Sequence, residues 1–409
     1  MNIRKLDRRL LTILLIVFVQ MVGASMILPI LPLYAQREFA MSPQFITLLA
    51  ASFFAGQFVA GPYLGRLSDK IGRLPVLIVS QIGTAISFLM LALAPNVGTL
   101  FAARILDGIT GGNIIVAQAY VTDITPSEKR TESLGYIMAA FGVSFFVGPA
   151  LGGLLAAGFG PRIPYLIAAG AATITVLITW FVLDESLTKD QLLDNRSIPK
   201  ATLSTRQLLQ NRSLVLVLIT GFLGQFAFGL LPATFSLYGE AVLFPEASEE
   251  TVNIGIGLLL ATVGLAQLIT QVALLRPLLK QFGDLGTSLV GIILRAIGFL
   301  LLAAYASPWL AAIASILFAS GMGLLMPTLQ SVTTKTVDDS VRGGILGIYQ
   351  SVTSVGTIIS TAIAGTLFAF SPFMPYWVGV GLSILMLIPA LLLMPRLQLA
   401  KPEPDIVRQ

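Results

Sequence analysis

The sequence predicts an all-α integral membrane protein whose twelve transmembrane helices form two pseudo-symmetric six-helix bundles. Three observations carry that prediction. Of the 409 residues, 56% are apolar and 11% are charged, whereas an ordinary soluble domain carries about 25% charged residues. About 20 consecutive apolar residues are needed to cross a bilayer, and twelve runs reach that length. A single long polar connection, residues 184–212, divides those runs six and six.

The predicted spans are 10–32, 44–64, 74–94, 98–122, 132–157, 163–183, 213–239, 252–275, 286–306, 309–333, 343–370 and 374–395. The first follows Arg4, Lys5, Arg8 and Arg9 as a signal peptide would. It is too long for a signal h-region and many spans follow it, so it is read as a retained helix. Its Pro29 and Pro32 are expected to kink it. The organisation is therefore 1–183 for the first bundle, 184–212 for a cytoplasmic linker, 213–396 for the second bundle and 397–409 for a cytoplasmic tail. The linker holds Asp190, Asp194, Arg196, Pro199, Lys200 and Arg206, the composition of a solvated connection.

Basic residues orient the chain, because cytoplasmic loops are enriched in Lys and Arg. With the amino terminus inside, 21 of the 25 basic residues fall in inside segments. Arg37 and Arg162 fall outside, and Arg104 and Arg295 fall within spans. Both termini are thus predicted to be cytoplasmic. A shift of 212 residues pairs Gly111 with Gly323, Gln118 with Gln330, Thr122 with Thr334, Arg130 with Arg342 and Gly153 with Gly365. A shift of 211 pairs Gly72 with Gly283. Such an internal repeat is common among transporters.

The chain has no histidine and no cysteine, which excludes disulfides, thiolate nucleophiles, imidazole relays and His-based metal sites. Proton chemistry must use carboxylates. A polytopic enzyme would need clustered acids, His or Cys, and ATP drive would need a Gly-x-x-x-x-Gly-Lys-Ser/Thr loop; neither occurs. The expectation is a non-enzyme with no cofactor, energised by a proton gradient. Its partners would be a small molecule, protons and the bilayer, with no nucleic acid, and it would act as a monomer.

Three motifs carry the chemistry. Between spans 2 and 3 lies Gly65-Arg66-Leu67-Ser68-Asp69-Lys70-Ile71-Gly72-Arg73, read as a tight charged loop in which Asp69 can face the amides of a helix amino terminus. Span 4 holds Arg104 and Asp107, three apart and so on one helix face. An ion at mid-bilayer costs about 2.5–3.5 kcal/mol, so the two residues face a cavity or each other. Either Asp107 takes up a proton, turning a neutral pair net positive, or the pair is permanently ionised and only positions the helix. Span 5 holds Gly135, Ser144, Gly148, Pro149, Gly152 and Gly153, small residues that let helices pack backbone to backbone.

The first motif, Gly-x-x-x-Asp-x-x-Gly-Arg between two membrane helices, resembles the signature loop of the major facilitator superfamily. The resemblance implies that Asp69 faces the start of helix 11, around Val341 to Gly344, and that Arg73 pairs with Asp123 at the end of helix 4. It makes Gly65, Asp69, Gly72, Arg73, Asp123, Arg130 and Arg342 a conformational gate. Arg104 and Asp107 resemble that superfamily's proton-antiporter motif and are the expected coupling residues. Together with the span 5 glycines and the Pro29/Pro32 ending, residues 10–185 look like the tetracycline/proton antiporter group. Where that group carries membrane acids on helices 1, 3 and 9, this chain has Gln20, the vicinity of Ile86, and Arg295.

In this architecture helices 1, 4, 7 and 10 line a central cavity. The expected lining is Gln20, Asn113, Gln118, Phe222, Gln225, Phe226, Met322, Met326 and Gln330, with Arg295 as a partner for an acidic substrate. The expected function is proton-coupled efflux of small amphipathic compounds by alternating access across a bacterial inner membrane. The alternative is uptake or uncoupled facilitation of a nutrient, which span 5 disfavours and the replaced acids favour.

Overall fold

The computed structural model describes residues 8–111, 113–126, 129–187, 205–337 and 341–398. No strand occurs among them. The first half holds α1 (Arg8–Phe39), α2 (Pro43–Ile71), α3 (Arg73–Ala92), α4 (Val97–Ile124), α5 (Arg130–Phe159) and α6 (Ile163–Val182). A short helix, Thr205–Gln210, precedes α7, which runs from Arg212 to Leu243 and ends in a π-helical turn. The helical run Glu249–Ala304 follows, and then α10 (Pro308–Lys335), α11 (Arg342–Phe370) and α12 (Met374–Gln398).

The run Glu249–Ala304 is 56 residues long. At about 1.5 Å per residue it is far longer than a roughly 30 Å hydrocarbon layer requires. It changes direction at Gly283, whose φ of 67° and ψ of −175° are non-helical. Residues 249–282 are therefore α8 and residues 284–304 are α9, giving the twelve spans. The polar connection predicted at 276–285 is helical on both sides of that one glycine.

The charged stretch 65–73 is likewise no extended loop. Gly65 to Ile71 are the last turns of α2, Arg73 opens α3, and only Gly72, with φ 104°, lies outside a helix. The helices outrun their apolar cores, so charges expected in a loop sit on helix ends. Gly72 and Gly283, paired by the shift of 211, are two of the three positive-φ glycines among the described residues. Linker residues Asp190, Asp194, Arg196, Pro199 and Lys200, and the tail from residue 399, lie outside the described residues.

Packing repeats between the halves. In the first, α1 packs on α5 and α6, α2 on α4, and α3 on α4 and α6. In the second, α7 packs on α11 and α12, α8 on α10, and α9 on α10 and α12. Adding six to each label converts one set into the other. The two main junctions between halves, α5 with α8 and α2 with α11, also exchange under that shift. Each depends on one of the paired glycines: a Cβ at Gly153 would lie 3.1 Å from the Gly257 Cα, and one at Gly365 would strike the Pro43 carbonyl.

Away from the termini a single buried apolar cluster joins both halves, including Ile30, Leu49 and Ala168 with Phe235, Leu260 and Phe318. Near the termini the buried clusters are separate. Leu10, Leu77, Val116 and Ile137 belong to one, and Val217, Leu329, Tyr349 and Leu393 to another. At the starts of α5 and α11, a Cβ on Gly135, Gly343 or Gly347 would meet nothing within 4 Å. Among the described residues, then, the halves are fused at the end remote from Arg8 and parted, with separate buried clusters, at the end where α1 begins.

Candidate functional site

The α5 residues fix one wall of the first half. Ser144 donates to the Phe18 carbonyl of α1 at 3.1 Å and to Ala140 at 2.7 Å, while Ser25 of α1 donates to the Ser144 carbonyl at 2.8 Å. A Cβ on Gly148 would sit 2.8 Å from the Val22 carbonyl oxygen, and one on Gly152 would lie 2.8 Å from the Met26 side chain. Close backbone approach of α1 and α5 follows from these small residues. Pro149 lies at the α8 crossing, its carbonyl oxygen 2.7 Å from a Cβ on Gly257.

Behind this wall is a cavity of about 350 Å³. Its surface is mostly apolar, with Phe53, Phe54, Phe141, Phe145 and Phe228 around it and Gln20, Gln57 and Thr84 as polar points. Arg104 and Asp107 are the two ionisable residues among those that line it. Arg104 Nη1 donates to Asp107 Oδ2 at 2.8 Å, with side chains 11% and 7% exposed. The Phe53 ring lies 4.3 Å from the guanidinium carbon. At the cap that follows Thr110, the Gly111 N–H is shared between the Asp107 and Gly108 carbonyls at 2.6 and 3.3 Å, and Gln57 donates to the Gly111 carbonyl at 3.3 Å.

Of the residues expected to line the cavity, Gln20 does so. Phe222 and Phe226 instead pair on α7 with ring centroids 5.9 Å apart and planes tilted by 51°, where the Phe222 backbone meets Gly356 of α11. Gln225 is on the same helix, its Oε1 buried with no partner among the described residues. Met322 is buried, Met326 is half-buried and Gln330 is exposed, none of them on the cavity wall. Gln118 is half-buried, its carbonyl accepting from Thr122 at 2.8 Å, and the Asn113 side chain lies outside the described residues.

Arg295 is not on the cavity wall either. It is 1% exposed inside the second half and donates from Nη2 to the Gly224 carbonyl at 2.7 Å. The cavity belongs mainly to the first half because α2 and α5 close it. Helix number alone, taken as 1, 4, 7 and 10, did not point to α2, although Phe53-Phe54-x-x-Gln57 was a visible aromatic and amide cluster.

At the parted end, Arg73 organises a second group. Its Nη1 donates to Ser68 at 2.7 Å and Asp69 at 2.6 Å, and its Nε donates to Asp123 at 2.9 Å. Glu185, which sequence reasoning left in the linker, accepts the Arg73 and Leu74 amides at 2.9 and 3.0 Å, capping α3. Ser186 donates to Asp123 at 3.0 Å. Asp69 therefore serves its own half. Among the described residues no hydrogen bond joins Asp69 to the start of α11, and its partner is Arg73 of its own half.

The repeat is legible in these contacts. Arg130 Nε donates to the Thr122 carbonyl at 3.2 Å, and Arg342 Nε donates to the Thr334 carbonyl at 3.3 Å. The Arg73–Asp123 pair is matched by Asp284–Lys335, with the signs exchanged. At the fused end, Arg37 of α1 bridges to Glu240 of α7 at 2.8 Å and to Glu249 of α8 at 3.5 Å.

Comparison with known proteins agrees with this architecture. The sequence model of the Major Facilitator Superfamily matches residues 13–251 and 235–408. The tetracycline resistance protein of class H from Pasteurella multocida is 31% identical over 378 residues, covering 91% of this chain and 92% of its own. The class C protein from Escherichia coli is 33% identical over 373 residues, with 90% and 91% covered. Among solved structures, the nucleoside transporter NupG superposes with a TM-score of 0.74 at 14% identity, over 96% of this chain and 100% of that one.

Proposed function

The chain belongs to the Major Facilitator Superfamily and is a multi-pass membrane transporter, and from that premise we propose that it exports small amphipathic, drug-like compounds in exchange for protons by alternating access. The observation that carries this reading is the Arg104–Asp107 pair in the wall of a phenylalanine-lined cavity. A mostly apolar pocket with few polar points suits a ligand of loosely specified shape. Asp107 is the single carboxylate among the described lining residues, so a proton entering the cavity has one acid to occupy. Protonation leaves the Arg104 charge uncompensated in a low-dielectric wall, which changes what the cavity holds and how the halves close.

The halves, fused at one end and parted at the other, are one state of such a cycle. The distribution of basic residues supports placing the parted end and both termini in the cytoplasm. The resistance proteins matched in sequence come from bacteria, which supports residence in a bacterial inner membrane. Residues 184–212 then link the bundles 1–183 and 213–396, and the gate comprises the Arg73 group with Arg130 and Arg342.

The test is transport in proteoliposomes under an imposed pH gradient, comparing the native chain with Asp107→Asn. In the native protein, addition of an amphipathic compound drives proton flux. In the variant, binding persists and the flux is lost. Native substrate movement without proton flux overturns the coupling and leaves an uncoupled facilitator, the reading that Gln20 and Arg295, at positions where acids were expected, would favour.

A further inference from the structure

We propose that Phe53 is a positioning residue for proton coupling: its ring face holds the Arg104 guanidinium in the cavity wall when Asp107 is neutralised. The inference rests on the coupling role given to the Arg104–Asp107 pair. Arg104 makes one ion pair among the described residues, through Nη1, and its Nε is buried there with no hydrogen-bond partner. The Phe53 ring lies 4.3 Å from its guanidinium carbon, well inside the roughly 6 Å range of a cation–π contact. The ring is a second electrostatic support, one that does not depend on the charge of the carboxylate.

Phe53 is held in place by backbone. A Cβ on Gly108, one residue after Asp107, would strike the Phe53 carbonyl, and one on Gly56 would lie 3.1 Å from the Ile105 carbonyl oxygen. The neighbouring Phe54 ring meets Phe53 edge-on, with centroids 5.3 Å apart. Gln57 ties the next turn of α2 to Gly111. The backbone that carries the ring is therefore fixed against α4. The titratable groups facing Arg104 are Asp107 on α4 and Tyr165 on α6, while α2 presents Phe53 and Gln57. When a proton takes the Asp107 carboxylate, Arg104 either stays against the ring or turns into the cavity and competes with substrate.

A cation–π contact is strongest when desolvated and depends on the negative potential of the ring face. Fluorinated phenylalanines remove that potential stepwise while nearly keeping the shape, so the folded full chain can be tested. With one to three fluorines at position 53, the proton-to-substrate ratio in proteoliposomes falls progressively and the pH dependence of export flattens. Phe53→Tyr keeps both, and Phe53→Leu lies at the far end of the series.

Unfolding temperatures of the same proteins in detergent fall along the series, more steeply in an Asp107→Asn background. Fluorination that leaves the ratio and the pH profile unchanged overturns the proposal, whatever the unfolding temperatures do. If the native protein moves no protons, the coupling reading fails. In that case a fluorine-sensitive unfolding temperature in Asp107→Asn still supports the ring's hold on Arg104, and an insensitive one overturns it.

Discussion

In the first half, an arginine in mid-span meets a carboxylate at 2.8 Å and borders a cavity. In the second half, Arg295 is 1% exposed, shows no ion pair among the described residues, and donates a 2.7 Å hydrogen bond to the Gly224 carbonyl of α7. Under the two repeat shifts Asp107 corresponds to Ala319 and Arg295 to Thr84, a cavity residue of the first half. One packing plan thus carries two kinds of buried charge. A charge beside an acid and a cavity can respond to a proton or a ligand. A charge bonded to a main-chain carbonyl and set over the Phe318 ring, away from the cavity of the first half, braces the helices around it.

The largest expected contrast follows from that difference. Arg104→Met strands Asp107 as an unpaired buried carboxylate, and breaking a buried pair in this way costs about 3–5 kcal/mol. Arg295→Met removes a charge with no counter-ion among the described residues and leaves the Gly224 carbonyl without its side-chain donor, a smaller loss of about 1–3 kcal/mol. Thermal unfolding of the two purified variants checks this. Equal losses would mean that Arg295 has an ionic partner, and the comparison between the halves would fall.

How much of this was legible in the sequence depended on which contacts are local. The spans, the repeat and the Arg104/Asp107 spacing are properties of short windows, and all could be read directly. The charges at 65–73 suggest a loop, yet α2 runs on to Ile71, because a helix can continue past the bilayer with charged residues on it. Phe53 and Glu185 were missed because their roles come from pairing across the fold, with Arg104 on α4 and with the amides that open α3. Met322 and Gln330 were assigned to the cavity by helix number, and helix number does not say which half closes around the space.

A contrast of intermediate size separates the two equivalent turns. Gly72 and Gly283 both hold positive φ with extended ψ, a region that is essentially restricted to glycine and costs other residues about 1–3 kcal/mol. At Gly72 a Cβ would also strike the Glu185 carboxylate, whereas at Gly283 it would meet nothing within 4 Å. Gly72→Ala should therefore lose the backbone strain energy and the α3 cap together. Gly283→Ala should lose the strain energy alone. Adding Glu185→Ala to each separates the contributions: the two changes overlap in the Gly72 variant and add in the Gly283 variant.

The smallest effect is expected where the repeat is most visible. Arg73 is 8% exposed along its side chain and has Ser68, Asp69 and Asp123 as partners, whereas Lys335 is 57% exposed and pairs with Asp284. Exposed ion pairs contribute about 0–1 kcal/mol and weaken further with salt. Lys335→Ala should thus lower the unfolding temperature slightly at low ionic strength and not measurably at high, while Arg73→Ala, which leaves two carboxylates facing one another, costs more under both conditions. The sign-exchanged pair then contributes less to stability than the Arg73 group does at the same end of the first half. A Lys335→Ala loss that matches Arg73→Ala and resists salt would give the two turns equal weight in holding that end.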